Sequence, residues 1–352
     1  MANEYFRFAM IQKIFATKTP RHKGLFQPHS KWLGTLVVIA VFFIASGWGF
    51  FAHKKINQLA VFTLPPEMIG FFKKNIEYIT DASCNPDRRR YAVADEAPKH
   101  YIDLDDYGDS AAYKLPRYWK DAVEKFGRDS LEAHGTVPWT INTVFQNLRD
   151  AMFIRDPAKI LRFSAELGHY VADAHVPLHT TSNYDGQKTG QNGIHSFWES
   201  RVPELYFNDY DFFVGKAEYI NNIQIKAWQI IATTNQSLDS VLQLEKELTE
   251  STGNEKFNFE QRGRQTIKVY STSFSKKYHE LLNGMVERQM RRSVKAVGDI
   301  WYTAWVDAGQ PDLKSLINYA PTSQEIADRK EELKKWKEMM FKPRVHENEV
   351  EN

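Results

Sequence analysis

The sequence predicts an all-α fold, and three observations carry that prediction. Apolar residues recur at three- and four-residue spacing through 50–62, 66–80, 117–126, 138–154, 157–175, 216–249 and 264–306, the period of an amphipathic helix. Runs that alternate apolar and polar residues between turn signals, the mark of strands, are scarce. Asp156-Pro157 supplies a helix start, with the carboxylate as N-cap and proline at the first helical position, where its missing N–H is no loss.

The 352 residues suffice for one large domain or two modest ones. Hydrophobic residues at 42% and charged residues at 26% describe a folded chain rather than a disordered one. The single cysteine, Cys84, excludes an intramolecular disulfide and every cysteine-based zinc finger. A metal site must therefore be built from His, Asp and Glu. The net charge of +2 gives no basic field for non-specific nucleic-acid binding. That charge is unevenly placed: residues 1–47 carry six basic side chains against Glu4, and the rest hold 40 basic and 43 acidic ones, or −3.

Taken in order, the chain divides into 1–47, 48–320 and 321–352. Leu33 to Phe51 reads LGTLVVIAVFFIASGWGFF, 19 residues without a charge behind a basic stretch. It has the length of a membrane anchor. Its first part also fits the core of a secretory signal, with Ala45-Ser46-Gly47 as the small residues before a cut. Either reading puts the following domain outside the cytoplasm, periplasmic or secreted if the leader is cut and membrane-anchored if it is not. Gly47-x-Gly49-x-x-Ala52 formally matches a dinucleotide fingerprint, but no alternating strand–helix pattern follows, which rejects it. Residues 48–320 form the helical domain. Within it Pro177 limits the 157–175 helix, and a polar, glycine-containing loop, TTSNYDGQKTGQNGI, runs on to His195, long enough to suggest function. Residues 323–341 read as a charged surface helix docking one stripe of Ile326, Leu333, Trp336 and Met340.

The chemistry-bearing stretch is LGHYVADAHVPLHTTSNYDGQKTGQNGIHSFWESR, Leu167 to Arg201. Ile160, Phe163, Leu167 and Val171 form the core stripe of the preceding helix, and His169 and Asp173, four residues apart, share a face roughly opposite. His179 follows the Pro177 turn, and His195 and Glu199 repeat the four-residue spacing. Imidazoles and carboxylates suit zinc in a site without thiolates. Each pair alone has a bland reading as a solvated helix-surface contact, and His175 is a competing ligand within the same stretch. The clustering of these histidines with two matched carboxylates points to a metal site.

The order His169-x3-Asp173-x5-His179, then His195-x3-Glu199, resembles the superfamily that joins bacterial zinc-dependent phospholipase C with single-strand-specific zinc nucleases. That resemblance implies a multi-helix fold around a cleft with three zinc ions, one of them bound by an amino-terminal tryptophan. Cleavage after Gly47 would expose Trp48, and His53 stands five residues later, the nuclease interval. His100 in KHYIDLD matches a further ligand, with Asp87 as its upstream partner, Asp95 the alternative and Asp81 a third. The resemblance then implies one zinc on Asp87, His100, His169 and Asp173, a second on His179, His195 and Glu199, and a third on the Trp48 terminus, His53 and a bridging Asp173. It implies a catalytic role for Asp87 in orienting or deprotonating the attacking water, and phosphate contact for Arg90. Tyr101 and Asp103 fall where nucleases stack and hydrogen-bond a base, though phospholipases have counterparts there.

The expected activity is hydrolysis of a phosphodiester by zinc-activated water, leaning to single-stranded nucleic acid, with phospholipid headgroups as the alternative substrate. A membrane-anchored, non-catalytic metal-binding protein is the reading from another class. Membrane contact is expected only of an uncut leader, and no protein partner is inferred.

Overall fold

Residue 156 shows how local chemistry sets the frame. In the computed structural model, which describes residues 50–262 and 265–339, Asp156 Oδ1 accepts from Lys159 N at 3.0 Å. This cap starts a 17-residue helix, Pro157–Asp173. The principal helices, in chain order, are α1 (Phe50–Ala60), α2 (Ile76–Ala82), α3 (Asn85–Arg89), α4 (Val137–Phe153), α5 (Pro157–Asp173), α6 (Ile223–Asn235), α7 (Leu238–Thr252), α8 (Thr272–Leu281), α9 (Met285–Asp307) and α10 (Ser323–Met339). The described residues are mostly helical, as the apolar spacing predicts, and belong to one compact unit. Residues 1–49, and with them the predicted leader and Trp48, lie outside the described residues. Among those described, no helix is long and apolar enough to cross a membrane.

Helix α5 is central. It packs against α4, α1, α2 and α9, so its second half is buried all round rather than along one stripe. Ile160, Leu167 and Val171 are core as predicted, whereas Phe163 is only half-buried, and His169 and Asp173 are as buried as the apolar residues. Close approach of α1 depends on Gly168: a Cβ there would fall 1.9 Å from Asn57 Oδ1. Asn57 Nδ2 donates to Ala165 O at 3.0 Å, a backbone contact open only where the facing helix lacks a side chain. Behind α5, Trp301 of α9 is fully buried and donates to Ser164 O at 3.0 Å.

Three of the predicted helical stretches are interrupted. The 66–80 stretch breaks at Asn75 into Pro66–Lys74 and α2. The 216–249 stretch begins as irregular chain, starts α6 only where Asn222 Oδ1 caps Ile225 N, and breaks again in the polar run Thr233-Thr234-Asn235-Gln236-Ser237, in which Thr, Asn and Ser are weak helix formers. The 264–306 stretch opens as a strand. Phe257–Arg262 and Gln265–Tyr270 pair antiparallel, Phe257 opposite Tyr270. In QTIKVY, Ile267 and Val269 are buried while Thr266 and Lys268 are exposed, the period of two that a β-branched run supports. Asn283 and Gly284, both at positive φ, separate α8 from α9. The charged tail is helical as read, but its stripe docks chiefly through Trp336, with Ile326 42% exposed; Arg329 lies over the Tyr78 ring at 4.2 Å. Met340 lies outside the described residues.

Candidate metal centre

Six chain segments deliver imidazoles and carboxylates to one place. His53 comes from α1, Asp87 from α3, His100 from the end of the 3-10 turn Ala97–His100, and His169 and Asp173 from the last turns of α5. His179 comes from the 3-10 turn Pro177–Thr180, and His195 and Glu199 from a helical turn running into a π-helical turn, Phe197–Arg201. Such a turn carries one residue more than an α-turn and is common at functional sites.

Asp173 is the hub. Its Oδ2 lies 2.9 Å from His100 Nδ1 and 3.2 Å from His169 Nε2, and its Oδ1 lies 3.4 Å from His53 Nε2 and 4.0 Å from His179 Nε2. Asp87 Oδ1 approaches His100 Nδ1 at 3.8 Å and His169 Nε2 at 3.9 Å. Glu199 reaches His53 at 3.1 Å, His179 at 3.5 Å and His195 at 2.9 Å. The His53 and His169 rings stack with centroids 4.1 Å apart. Three groups here could each hold a metal ion: His53, His169 and Asp173; Asp87, His100 and His169, which shares His169 with the first; and His179, His195 and Glu199.

Every predicted ligand among the described residues is therefore gathered here. Asp95 is exposed and Asp81 is spent on Lys54 and Arg88; neither belongs to a candidate group. His175 does not ligate either. Its Nδ1 donates to Val171 O at 2.7 Å, and burial, with Arg292 and Lys226 nearby, holds its pKa down at about 4.

The chemistry of the donor set fits a cation. His179 Nδ1 donates to His100 O at 2.6 Å, which leaves the Nε2 lone pair of the neutral ring facing inwards. That Nε2 lies 3.0 Å from His195 Nε2, and His169 Nε2 lies 3.0 Å from His100 Nδ1. Converging lone pairs beside three carboxylates are costly to bury unless a positive charge sits among them. In the metal-free chain protons supply that charge. Burial opposes charging His53, but Glu199 and Asp173 outweigh it and raise the ring to about 9. Burial likewise opposes the charged His179, and Asp173 and Glu199 again raise it to about 9. Glu199 and Asp173 are themselves held well below the usual carboxylate range, against burial, Glu199 by His179, His195 and His53 and Asp173 by His169, His179 and His100. His100 goes the other way, lowered chiefly by burial.

Around the ligands, Arg90 stands one turn after Asp87 with Nη1 3.8 Å from its carboxylate. Tyr101 and Asp103 lie beside His100 but are not ligands. Tyr101 OH donates to Ala133 O at 3.4 Å. Asp103 falls with Asp106 and His134 in a separate group, where His134 Nδ1 lies 3.0 Å from Asp106. Burial, then Asp105 and Asp106, push the Asp103 carboxyl up to about 7, and Lys188 and then His179 draw it partly back. The predicted polar loop is anchored at both ends: Asp105 accepts from Ser182 N at 2.8 Å, and Gln191 Nε2 donates to buried Glu245 at 2.6 Å. It presents Tyr184, 51% exposed, edge-on to His195.

Sequence reasoning missed what lies behind the ligands. Arg89 Nη1 donates to Glu166 Oε1 at 2.5 Å, its Nη2 to Tyr170 OH at 2.9 Å, and its Nε pairs with Glu96 at 3.0 Å. Tyr170 in turn donates to Glu96, whose Oε1 is 3.8 Å from His100 Nε2. This buried network clamps α3, the Ala97–His100 turn and α5 together, so it positions Asp87, His100 and His169 at once. Its one trace in the sequence is Glu166 and Tyr170 at four-residue spacing on the helix that carries His169 and Asp173.

Neither a protein-family model nor a curated protein matches this chain.

Proposed function

We propose that the chain is a zinc-dependent phosphodiester hydrolase of the phospholipase C and single-strand nuclease type, exported and released from its leader before Trp48. The observation that supports this most is the gathering of eight residues, spaced as in that superfamily, from six separate segments into three ligand groups. In this reading Asp87, His100, His169 and Asp173 hold one zinc, His179, His195 and Glu199 a second, and His53, Asp173 and the Trp48 terminus a third. Zinc, when bound, polarises phosphate oxygens and acidifies water to a pKa of about 7.

The chain's own groups do the rest. Asp87, 21% exposed at its side chain and at the edge of the cluster, accepts a proton from the attacking water and orients it. The Arg90 guanidinium offsets the charge on the phosphate. The Tyr101 ring offers a face for a base, and Asp103, at about 7, both donates and accepts hydrogen bonds near neutral pH. The five-residue interval from Trp48 to His53 and the presence of Arg90 favour single-stranded nucleic acid over a phospholipid headgroup, and Tyr101 and Asp103 suit either substrate.

Elemental analysis and a paired activity assay test the proposal. About three zinc ions per chain are expected, and one or none overturns it. Cleavage of single-stranded DNA or RNA above that of phosphatidylcholine is expected from the same preparation; the reverse order makes the protein a phospholipase C, and full zinc with neither activity makes it a non-catalytic binder. Amino-terminal sequencing of exported protein is expected to begin at Trp48, and an intact leader removes the third site.

A further inference from the structure

A groove of about 640 Å³ runs between α6 and α9. Four cations line it: Lys226 from α6, and Arg291, Arg292 and Lys295 from α9. Two of them are already neutralised. Arg291 pairs with Asp211 at 3.1 Å, and Lys295 with Asp299 at 2.6 Å and Glu218 at 3.2 Å. Asp299, the carboxylate on the lining, is spent on Lys295 and on Glu218 N at 2.7 Å. Lys226 and Arg292 have no carboxylate partner among the described residues. Two cations placed across a groove repel one another, so the arrangement is stabilised by an anion between them.

Gln289 sits beneath Arg292, between this groove and the small pocket that His53 and Glu199 line. Gln289, 2% exposed, lines this groove, and its Nε2 has no hydrogen-bond partner. Its other end is settled by Arg292 Nη1, which donates to Oε1 at 3.4 Å, so the unpartnered end is the NH2 donor. His175 lies on the same lining.

We propose that this groove binds a small phosphate-bearing anion, held between Lys226 and Arg292. The volume suits a small organic ligand. The site shares no residue with the metal-ligand groups, and it stands whether or not the hydrolase reading does.

Thermal unfolding of the full chain, with inorganic phosphate or glycerol 2-phosphate added against sodium chloride at equal ionic strength, tests it. Phosphate also meets any bound metal, so two variants separate the sites. His195→Ala/Glu199→Gln is expected to keep a ligand-induced rise in Tm of roughly 2–4 °C. Lys226→Ala/Arg292→Ala, two surface changes, is expected to lose that part of the rise with unchanged far-ultraviolet circular dichroism. Arg292→Gln alone is expected to weaken binding about tenfold, as loss of one charge-assisted contact does. A larger rise with the ester identifies an organic phosphate as the occupant, and an equal or smaller one identifies free phosphate. No rise in the native chain, or a rise kept in Lys226→Ala/Arg292→Ala and lost in His195→Ala/Glu199→Gln, overturns the proposal.

Discussion

A carboxylate approached by four imidazoles, as Asp173 is, cannot be replaced by an amide without disturbing every group it joins. Asp173→Asn is expected to lose at least two of the proposed zinc ions, measured by elemental analysis on protein whose circular dichroism is native; a full complement would refute the bridging role. Asp87→Asn reads differently. If Asp87 orients the attacking water, turnover falls by about 10²-fold or more while KM changes little, whereas loss of zinc in proportion marks it as a plain ligand. The two raised histidines carry a pH dependence of definite sign. His53 and His179 hold their protons to about 9 in the folded metal-free chain, against an ordinary 6.5. Their contribution to metal-free stability is therefore full below about 6.5 and is lost as pH rises through 9. Metal must displace those protons, so proton release on zinc binding is expected to be larger at pH 7 than at pH 10. Calorimetry in buffers of different ionisation enthalpy measures it, and equal release at both values would contradict the assignment.

At the level of elements, the reach of His53 depends on how closely α1 approaches α5. Gly168→Ala improves helix propensity by about 1 kcal/mol, yet its methyl meets Asn57 Oδ1. The net effect expected is destabilisation of about 1–3 kcal/mol with loss of the zinc on His53. Adding Asn57→Ala is expected to recover part of it, a coupling that a double-mutant cycle on Tm reads directly. The helical pairs of the site were legible because ligand spacing and helix period coincide: four residues return to one face, and Asp156-Pro157 announces where that face begins. The polar loop was legible for the converse reason, a long stretch with no period. The hairpin was not read, since Thr266-Ile267-Lys268-Val269 alternates over too few residues to stand out against the helical spacing around it. Yet it supports the site: Tyr270 stacks on Phe197 at 3.8 Å, and Arg201 pairs with Glu260, holding the π-helical turn that carries Glu199. The Arg89–Glu96–Tyr170–Glu166 network was hidden for another reason. Its partners are up to 81 residues apart, and no local pattern records a tertiary contact.

Seen whole, the molecule joins segments from residue 53 to residue 199 through one cluster, with no disulfide to do so. Metal binding that exists only in the folded chain is folding free energy. Stripping with a chelator is expected to lower Tm by roughly 10–15 °C, and re-addition of zinc to restore it; an unchanged Tm would show that the helices hold the ligands unaided. The lone thiol offers a separate view of the same coupling. Cys84 is fully buried, its Sγ donates to Phe50 O at 3.6 Å, and burial pushes its pKa up to about 12. A thiol in that state does not react until the start of α1 lifts from the turn before α3. Its alkylation rate therefore clocks a single opening, the one that parts the segments bearing His53 and Asp87, and makes one natural atom a stopwatch for how often this end of the protein breathes.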